Sequence, residues 1–400
     1  MSARKGLLAG ITVADFGWAV AGPMLSRLLA YHGATVIKIE SNTRLDTTRI
    51  APPFQGKPSR NNSAYFARQN AGKQGITINL KHEEGRRVAR RLALSADVVN
   101  ENFVPGVLEN AGLDYATLAR ERPDLIMMSS SSQGQDGPHA RHPGLGVTLQ
   151  GLVGLGHLTG WPDREPVGPG EPYTDSLVVG LAGAALIAAL DYRRRTGKGM
   201  HVDLSQFETV AHVLAPGLLH EQLTGTCHIR MGNASLARSP EGVYACRGEE
   251  RWIAISIETD PQWRALAALI GHPSAANPDL SWRFANGDAI DAAIAAWARD
   301  RDVFEIERLL QQEGVPAHGV ASGEDVVNDA QLAARGHWIE RDHPAMGRYA
   351  FEMPPFRLSE HEVRVERSPL IGEHTDNVLK NLLGMGDDEI TAAREAGALT

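Results

Sequence analysis

An α/β protein built on a mostly parallel sheet is what the first third of this chain predicts. Strand-like and helix-like patterns alternate from residue 11 to residue 131, and such alternation covers a parallel sheet with helices on both faces. From about Met231 the texture changes to a hairpin followed by helical stretches, which predicts a second, smaller α+β lobe. The length agrees, since 400 residues exceed one ordinary core.

The elements follow from pattern. Residues 11–16, 35–40, 76–80, 97–102 and 125–129 are short runs with Ile, Val or Met at their centres, and they read as strands. Residues 22–31 and 83–95 read as helices between them. Ligands on parallel sheets bind beyond the strands' carboxyl ends. That directs attention to the loops at 17–22, 40–49 and 102–106. Residues 133–174 are rich in Gly, Pro and His and resemble functional loops around one short helix. Residues 175–195 read as a long apolar helix with a basic end, which suits a helix C-terminus. A strand at 200–204 and a helix at 208–223 follow. In the second lobe, 242–246 and 251–256 pair as a hairpin, and helices are expected near 260–271, 288–300 and 302–313. The stretch from Gly314 to Val320 marks the return, and 349–400 reads as short strands and terminal helices.

Charge and composition narrow the function. A net charge of −8 disfavours nucleic acid, which needs a basic surface, although local Lys and Arg clusters can still hold a small anion. The two cysteines, Cys227 and Cys246, build no disulfide framework and lie at no metal-type spacing, which fits a reducing compartment. The first ten residues are basic and then briefly apolar. Asp15 soon interrupts the run, so they make a poor signal peptide. No run is expected to reach the ~20 apolar residues of a membrane span. These features predict a cytoplasmic protein with neither nucleic-acid nor membrane partners.

Strong motifs are few. Neither a Walker loop nor a Gly-x-Ser-x-Gly elbow occurs. Gly151-Leu152-Val153-Gly154-Leu155-Gly156 lacks dinucleotide spacing and reads as close helix packing. His220-Glu221 lacks the second histidine of a zinc helix, so no metal site is expected. His139, Arg141 and His142 read as solvated loop residues, Ser129 to Ser132 as a strand end with satisfied hydroxyls, and Arg193 to Arg195 as a solvated helix end.

Asp175 has two readings. It sits in Pro172-Tyr173-Thr174-Asp175-Ser176, just ahead of the apolar run from Leu177 to Leu190. By spacing alone, a plain helix N-cap is the commoner role. The other role is chemical. A carboxylate of ordinary pKa ~3.9, kept ionised by a helix N-terminus, can attack an activated acyl carbon such as a thioester, whose thiolate is a fair leaving group.

Ordered blocks along the chain settle which family this sequence resembles. They are residues 8–16, Ala21-Gly22-Pro23, residues 33–40, Glu101-Asn102-Phe103-Val104-Pro105-Gly106 with Gly112-Leu113-Asp114-Tyr115, Tyr173-Thr174-Asp175, Arg195-Thr196-Gly197-Lys198-Gly199, Gly314-Val315-Pro316 and Leu370-Ile371-Gly372-Glu373-His374-Thr375. From about residue 8 to 396 the chain resembles the class III coenzyme A transferases of the CaiB/BaiF type, a family that includes the α-methylacyl-CoA racemases. His157-Leu158-Thr159-Gly160-Trp161-Pro162-Asp163-Arg164 and Gly242-Val243-Tyr244 are similar to benzylsuccinate-type CoA transferase subunits.

The resemblance implies a Rossmann-like large domain formed by residues 1–205 and 330–400. A linker helix and a small α+β domain would occupy 206–329, in an interlocked dimer. It implies an acyl-CoA:carboxylate CoA transferase in which Asp175 is the nucleophile. No cofactor would be permanently bound; a CoA thioester, with a donor such as succinyl-CoA, would be the substrate, and a small carboxylic acid the acceptor. Ala19, Val20 and the 40–49 segment would flank adenine and the 3′-phosphate, while Ile78, Asn102 and Phe103 would line the nucleotide and pantetheine path. Basic residues that some members place on CoA fall at Ser41 or Asn110 here, so Lys38, Arg44 or Arg49 would have to compensate. Where a racemase carries a histidine and an adjacent acid, this chain has Leu145 and Gly146. Racemase chemistry, a non-catalytic subunit of a heteromeric transferase and a CoA-sensing module are the alternatives.

Overall fold

The computed structural model describes residues 6–273 and 279–400, so residues 1–5 of the basic start lie outside the described residues. The chain forms two compact units. The larger takes residues up to Leu155, Gly168–Cys227 and Ala333–Thr400; the smaller takes Gly156–Val167 and His228–Leu332.

Six parallel strands form the larger unit's main sheet: β1 (Thr12–Asp15), β2 (Thr35–Glu40), β3 (Gln74–Thr77), β4 (Val98–Glu101), β5 (Ile126–Ser131) and β6 (Met200–Ser205), in the order β3-β2-β1-β4-β5-β6. Up to residue 224 its helices are α1 (Ala21–Tyr31), α2 (Ala64–Asn70), α3 (Glu83–Ser95), α4 (Tyr115–Ala119), α5 (Gly146–Leu152), α6 (Leu155–Leu158), α7 (Tyr173–Thr196), α8 (Gln206–Val213) and α9 (Ala215–Thr224), with α6 crossing the boundary between units.

Strand alternation sorts the core into two layers. Val13, Val36, Val98, Ile126 and Met128 face Leu25 and Leu29 of α1 and Ala182, Leu186 and Ala189 of α7. On the opposite face Ala14, Ile37, Ile76, Val99 and Met127 meet Val88 and Leu92 of α3. Val378, Leu379, Ile390 and Ala393, from the terminal helices Thr375–Asn381 and Asp387–Glu395, join that second layer. Hydrogen bonds fix the C-terminal segment to the end of β3: Asn79 N–H donates to the Ala398 carbonyl at 2.8 Å and His374 N–H to the Gly75 carbonyl at 2.9 Å. The last residues therefore complete the first domain's core.

Several expectations need correction. Helix α7 has 24 residues and is long and apolar enough to cross a membrane by length and composition, contrary to the sequence reading. Val178, Ala182, Leu186 and Ala189 are buried on one face, while Leu181 and Ile187 stay exposed on the other. At its basic end Arg193 is not simply solvated, since it binds Asp97 at 2.6 Å and Asp124 at 3.2 Å. The single helix expected at 208–223 is broken into α8 and α9, where Pro216 sits in the first turn of α9 and cannot continue α8's hydrogen-bond ladder. Both short helices belong to the larger unit, whose boundary falls after Cys227 rather than after residue 205.

The smaller unit carries an antiparallel sheet of β7 (Glu241–Ala245), β8 (Trp252–Ser256) and β9 (Ala317–Gly319). Around it lie α10 (Asp260–Ile270), α11 (Leu280–Ala285), α12 (Gly287–Ala298) and α13 (Val303–Gln312). Ile253, Ile255, Trp263, Leu266, Ile290, Ile294, Ile306 and Leu310 form its core. The hairpin and three of the helices match the sequence pattern; α11 and β9 were too short to register.

Candidate active site

The sheet's order of growth reverses between β1 and β4, and ligands of open parallel sheets bind in the crevice at such a switch point. The two loops that leave these strands are tied together. Asn102 Oδ1 accepts Trp18 N–H at 2.7 Å, and Asn102 Nδ2 donates to the Trp18 carbonyl at 2.9 Å. The Trp18 and Phe103 rings meet edge to face at 5.8 Å. The exposed Arg44 lays its guanidinium over Trp18, 5.1 Å from the ring centroid. Close approach at α1 requires glycine, because a Cβ on Gly22 would lie 2.9 Å from Asn102 Oδ1. Ala19 has a left-handed φ of 59°. Its N–H donates to Asp46 Oδ1 at 3.2 Å, which holds the turn in this strained form. Val20 is buried just before α1. Half-buried aromatic rings beside an exposed arginine suit a flat base joined to phosphate.

Buried ion pairs brace the floor of this crevice. Lys73 binds Asp15 at 2.9 Å, Lys38 binds Asp46 at 2.9 Å, and Arg49 binds Glu40 at 2.7 Å, with every one of these side chains fully buried. Lys38 also donates to the Gly17 carbonyl, and Arg49 stacks 3.5 Å from the Phe66 centroid. Burial pulls the Lys73 ammonium down to about 8 despite Asp15. Burial works against Lys38 too, but Asp46, Asp15 and Glu40 outweigh it and raise that group. The expectation that Lys38 and Arg49 face CoA phosphates is therefore corrected: their charges are engaged inside the fold. Ile78 is corrected likewise, because it is 1% exposed in the core layer over α3. Of the three cations named from sequence, Arg44 alone is exposed.

Asp175 is not the cap of α7. Pro172 holds that position, and Asp175 lies in the helix's first turn with its N–H donating to the Pro172 carbonyl at 3.0 Å. Burial pushes its carboxyl group up to about 6, against the pull of a hydrogen bond from Gln206, a residue only 5% exposed at the start of α8. Desolvation raises the group above the ordinary carboxylate value while leaving it ionised at neutral pH, the state expected from the sequence. Helix α5 starts against this group, since a Cβ on Gly146 would fall 2.8 Å from Asp175 Oδ2 and closer still to Pro172. Leu145, by contrast, is 76% exposed. The Tyr65 phenol is raised by burial and then by Glu171 and Asp175, with Asp46 also contributing. Tyr65 thus lies within electrostatic reach of both Asp175 and the Asp46 end of the crevice.

Other readings change with the structure. Ser129 bonds His201, but the Ser130 and Ser131 hydroxyls are buried without a hydrogen-bond partner, contrary to a fully satisfied strand end. Trp18, Asp46, Tyr65 and Gln206 escaped the sequence reading as individuals. Trp18 and Asp46 at least sit inside the two loops singled out there. Among the described residues, no group of three or more His, Cys, Asp or Glu is placed to hold a metal ion.

A sheet of this strand order with a crevice at its switch point is the arrangement of nucleotide-binding α/β enzymes. The family model of CoA-transferase family III matches residues 8–375, and the chain belongs to that family. It is 31% identical to the formyl-CoA:oxalate CoA-transferase of Rhodopseudomonas palustris, over 98% of this chain and 97% of that protein. It is 30% identical to the succinyl-CoA–D-citramalate CoA-transferase of Chloroflexus aurantiacus, over 96% of each. A crystal structure of a CaiB/BaiF family protein from Brucella suis superposes with a TM-score of 0.86 at 33% identity, covering 95% of this chain and all of that one. The protein is a CoA transferase, a class of enzyme whose substrates are CoA thioesters.

Proposed function

We propose that the protein moves CoA from an acyl-CoA donor such as succinyl-CoA to a small organic acid through an aspartyl-CoA thioester on Asp175. The observation that carries this reading is the desolvated Asp175 carboxyl group, raised to about 6 at the start of α7 against Gly146. Such a group is ionised at neutral pH yet more basic, hence more nucleophilic, than an ordinary aspartate.

The carboxylate oxygen attacks the donor thioester carbonyl, and the C–S bond breaks to release CoA thiolate and leave a mixed anhydride. The thiolate attacks the Asp175 carbonyl carbon, expels the donor acid as its carboxylate, and forms the aspartyl-CoA thioester. The acceptor carboxylate attacks that thioester and releases the thiolate again. The thiolate then attacks the acceptor's acyl carbon, which frees Asp175 and yields the new acyl-CoA. Thioester energy is carried through each step, so ATP does not enter the balance. In this reading Trp18, Ala19 and Val20 flank the adenine, Arg44 meets phosphate, and Asn102 and Phe103 border the pantetheine path.

Racemase chemistry is disfavoured by the neighbours of Asp175. It needs a second proton carrier across the α-carbon. Leu145 is exposed and apolar, and Gly146 has no side chain. An interlocked homodimer, or a heteromer with a related subunit, fits the exposed apolar residues Leu181 and Ile187 on α7 and Leu218, Leu219 and Leu223 on α9. The testing experiment is transfer kinetics over a panel of acyl-CoA donors and carboxylic acids, with 2-methylacyl-CoA α-deuterium exchange run alongside. Exchange without transfer would replace the transferase reading by the racemase one.

A further inference from the structure

Glu101 is a buried acid that the proposed chemistry does not use. It ends β4, is 4% exposed, and stands in register with Ser129 on β5. One carboxyl oxygen accepts the Phe103 N–H at 2.7 Å. Ser129 faces the same group and favours its anion, and the Ser129 hydroxyl lies 3.0 Å from His201 Nε2 on β6, whose ring stacks on Tyr115 at 5.3 Å. An aliphatic residue would fill a strand end in a core more cheaply than a carboxyl group. The turn immediately after β4 accounts for the acid. A half-buried N–H at Phe103 has to find an acceptor, and the residue that holds it also fixes where the Phe103 ring meets Trp18. Asn102 binds the same turn from the other side through its two bonds to Trp18.

We infer that Glu101 is a positioning residue for the nucleotide crevice: it clamps the Asn102–Phe103 turn from beneath, so that Phe103 and Trp18 present a fixed aromatic surface to CoA. A cavity of about 410 Å³ opens beside Glu101, lined by Val104, Tyr115, Gln135, Arg141, His142 and His201 among others. It gives the buried acid a polar route for proton exchange. Burial pushes Glu101 up to about 7, Ser129 and the Phe103 N–H pull it down, and Asp203 raises it further. The charged and titratable groups around it are therefore His201 and Asp203 on β6, Tyr115 and Asp114 at α4, Glu109 in the loop after β4, and Asp136, Arg141 and His142 in the covering loop. The anionic carboxylate makes the stronger, charge-assisted bond to Phe103, so the clamp is tightest above neutral pH and loosens below it.

This inference rests on the assignment of the Trp18–Phe103 crevice to CoA, and the test separates the two. Coenzyme A itself is titrated calorimetrically into full-length wild type, Glu101→Gln and Glu101→Leu between pH 5.5 and 8.5, with a melting curve for each protein. Glutamine keeps an acceptor oxygen for Phe103 and does not titrate. At pH 8 Glu101→Gln should bind CoA within about threefold of wild type, and Glu101→Leu should lose about tenfold or more. The wild-type Kd should rise as pH falls through 7 by more than that of Glu101→Gln. Superimposable pH profiles for wild type and Glu101→Gln would overturn the inference, and so would a folded Glu101→Leu with wild-type affinity. Should Glu101→Leu not fold, the comparison of wild type with Glu101→Gln still decides. Wild type that binds no CoA at any pH would instead remove the crevice assignment, and this inference with it.

Discussion

Asn102 and Trp18 hold each other across the point where the sheet reverses its order of growth, through hydrogen bonds of 2.7 and 2.9 Å between one side-chain amide and one backbone unit. An asparagine amide is the group that can accept from an N–H and donate to a carbonyl at once. Replacing it with Asp keeps the acceptor and removes the donor; replacing it with Ala removes both. Asn102→Ala should therefore weaken CoA binding by about tenfold, as a net hydrogen bond contributes ~0.5–1.5 kcal/mol, and Asn102→Asp by at least as much at neutral pH, because its carboxylate sets an acceptor against the Trp18 carbonyl and a negative charge in the crevice. Calorimetric Kd values check the order, and equal affinities in all three proteins would contradict it.

Arg44 and the two buried cations should separate cleanly. Arg44 is exposed over Trp18, so Arg44→Ala should raise the Kd for CoA by roughly tenfold with little change in melting temperature. Lys38→Met and Arg49→Met each leave a buried carboxylate, Asp46 or Glu40, without its partner. Removing one member of a buried pair costs about 3–5 kcal/mol, so these variants should lose stability first. Dephospho-CoA as a second ligand reports whether Arg44 meets the 3′-phosphate.

The pH response of Asp175 has a definite sign. Its folded pKa, about 6, lies above the unfolded value of 3.8, so between them the folded state keeps a proton that the unfolded chain has lost. That contribution favours folding below the unfolded value and is lost as pH rises through 6, above which the half-buried carboxylate is a net cost to stability. Asp175→Asn should accordingly melt higher than wild type at pH 8, with the gap closing towards pH 4. Acyl loading, which needs the anion, should fall below pH 6 in rapid-quench measurements. A loading rate flat from pH 5 to 8 would contradict the assignment.

The parallel sheet was legible because its strands are short Ile- and Val-centred runs, and the positions of β1, β2, β4 and β5 follow from them closely. The loops at the switch point were legible for the same reason, since strand ends fix loop positions. What the sequence hid is burial: which charged side chains turn inward and pair there. A lysine in β2 and an arginine just beyond it look like free cations until Asp46 and Glu40 are seen to bury them. Asp175 looked like a cap because an acid before an apolar run usually is one. Its environment is set by Gly146, which packs against it from α5, and by Gln206 of α8, whose hydrogen bond opposes the desolvation; neither is a chain neighbour. Short elements such as α2, α4, α11 and β9 carry too few residues to establish a period.

The nucleophile is the central claim, and one trapping measurement addresses it directly. Wild-type protein is mixed with succinyl-CoA and other acyl-CoA thioesters, quenched with hydroxylamine, and mapped by peptide mass spectrometry, beside an Asp175→Ala variant carried through the same steps with a melting curve and a CoA titration. The account predicts a hydroxamate on Asp175 in the wild type. It predicts none in the variant, which should stay folded, bind CoA and show no transfer. A hydroxamate on a different residue, or transfer by Asp175→Ala at a rate near that of wild type, would contradict it.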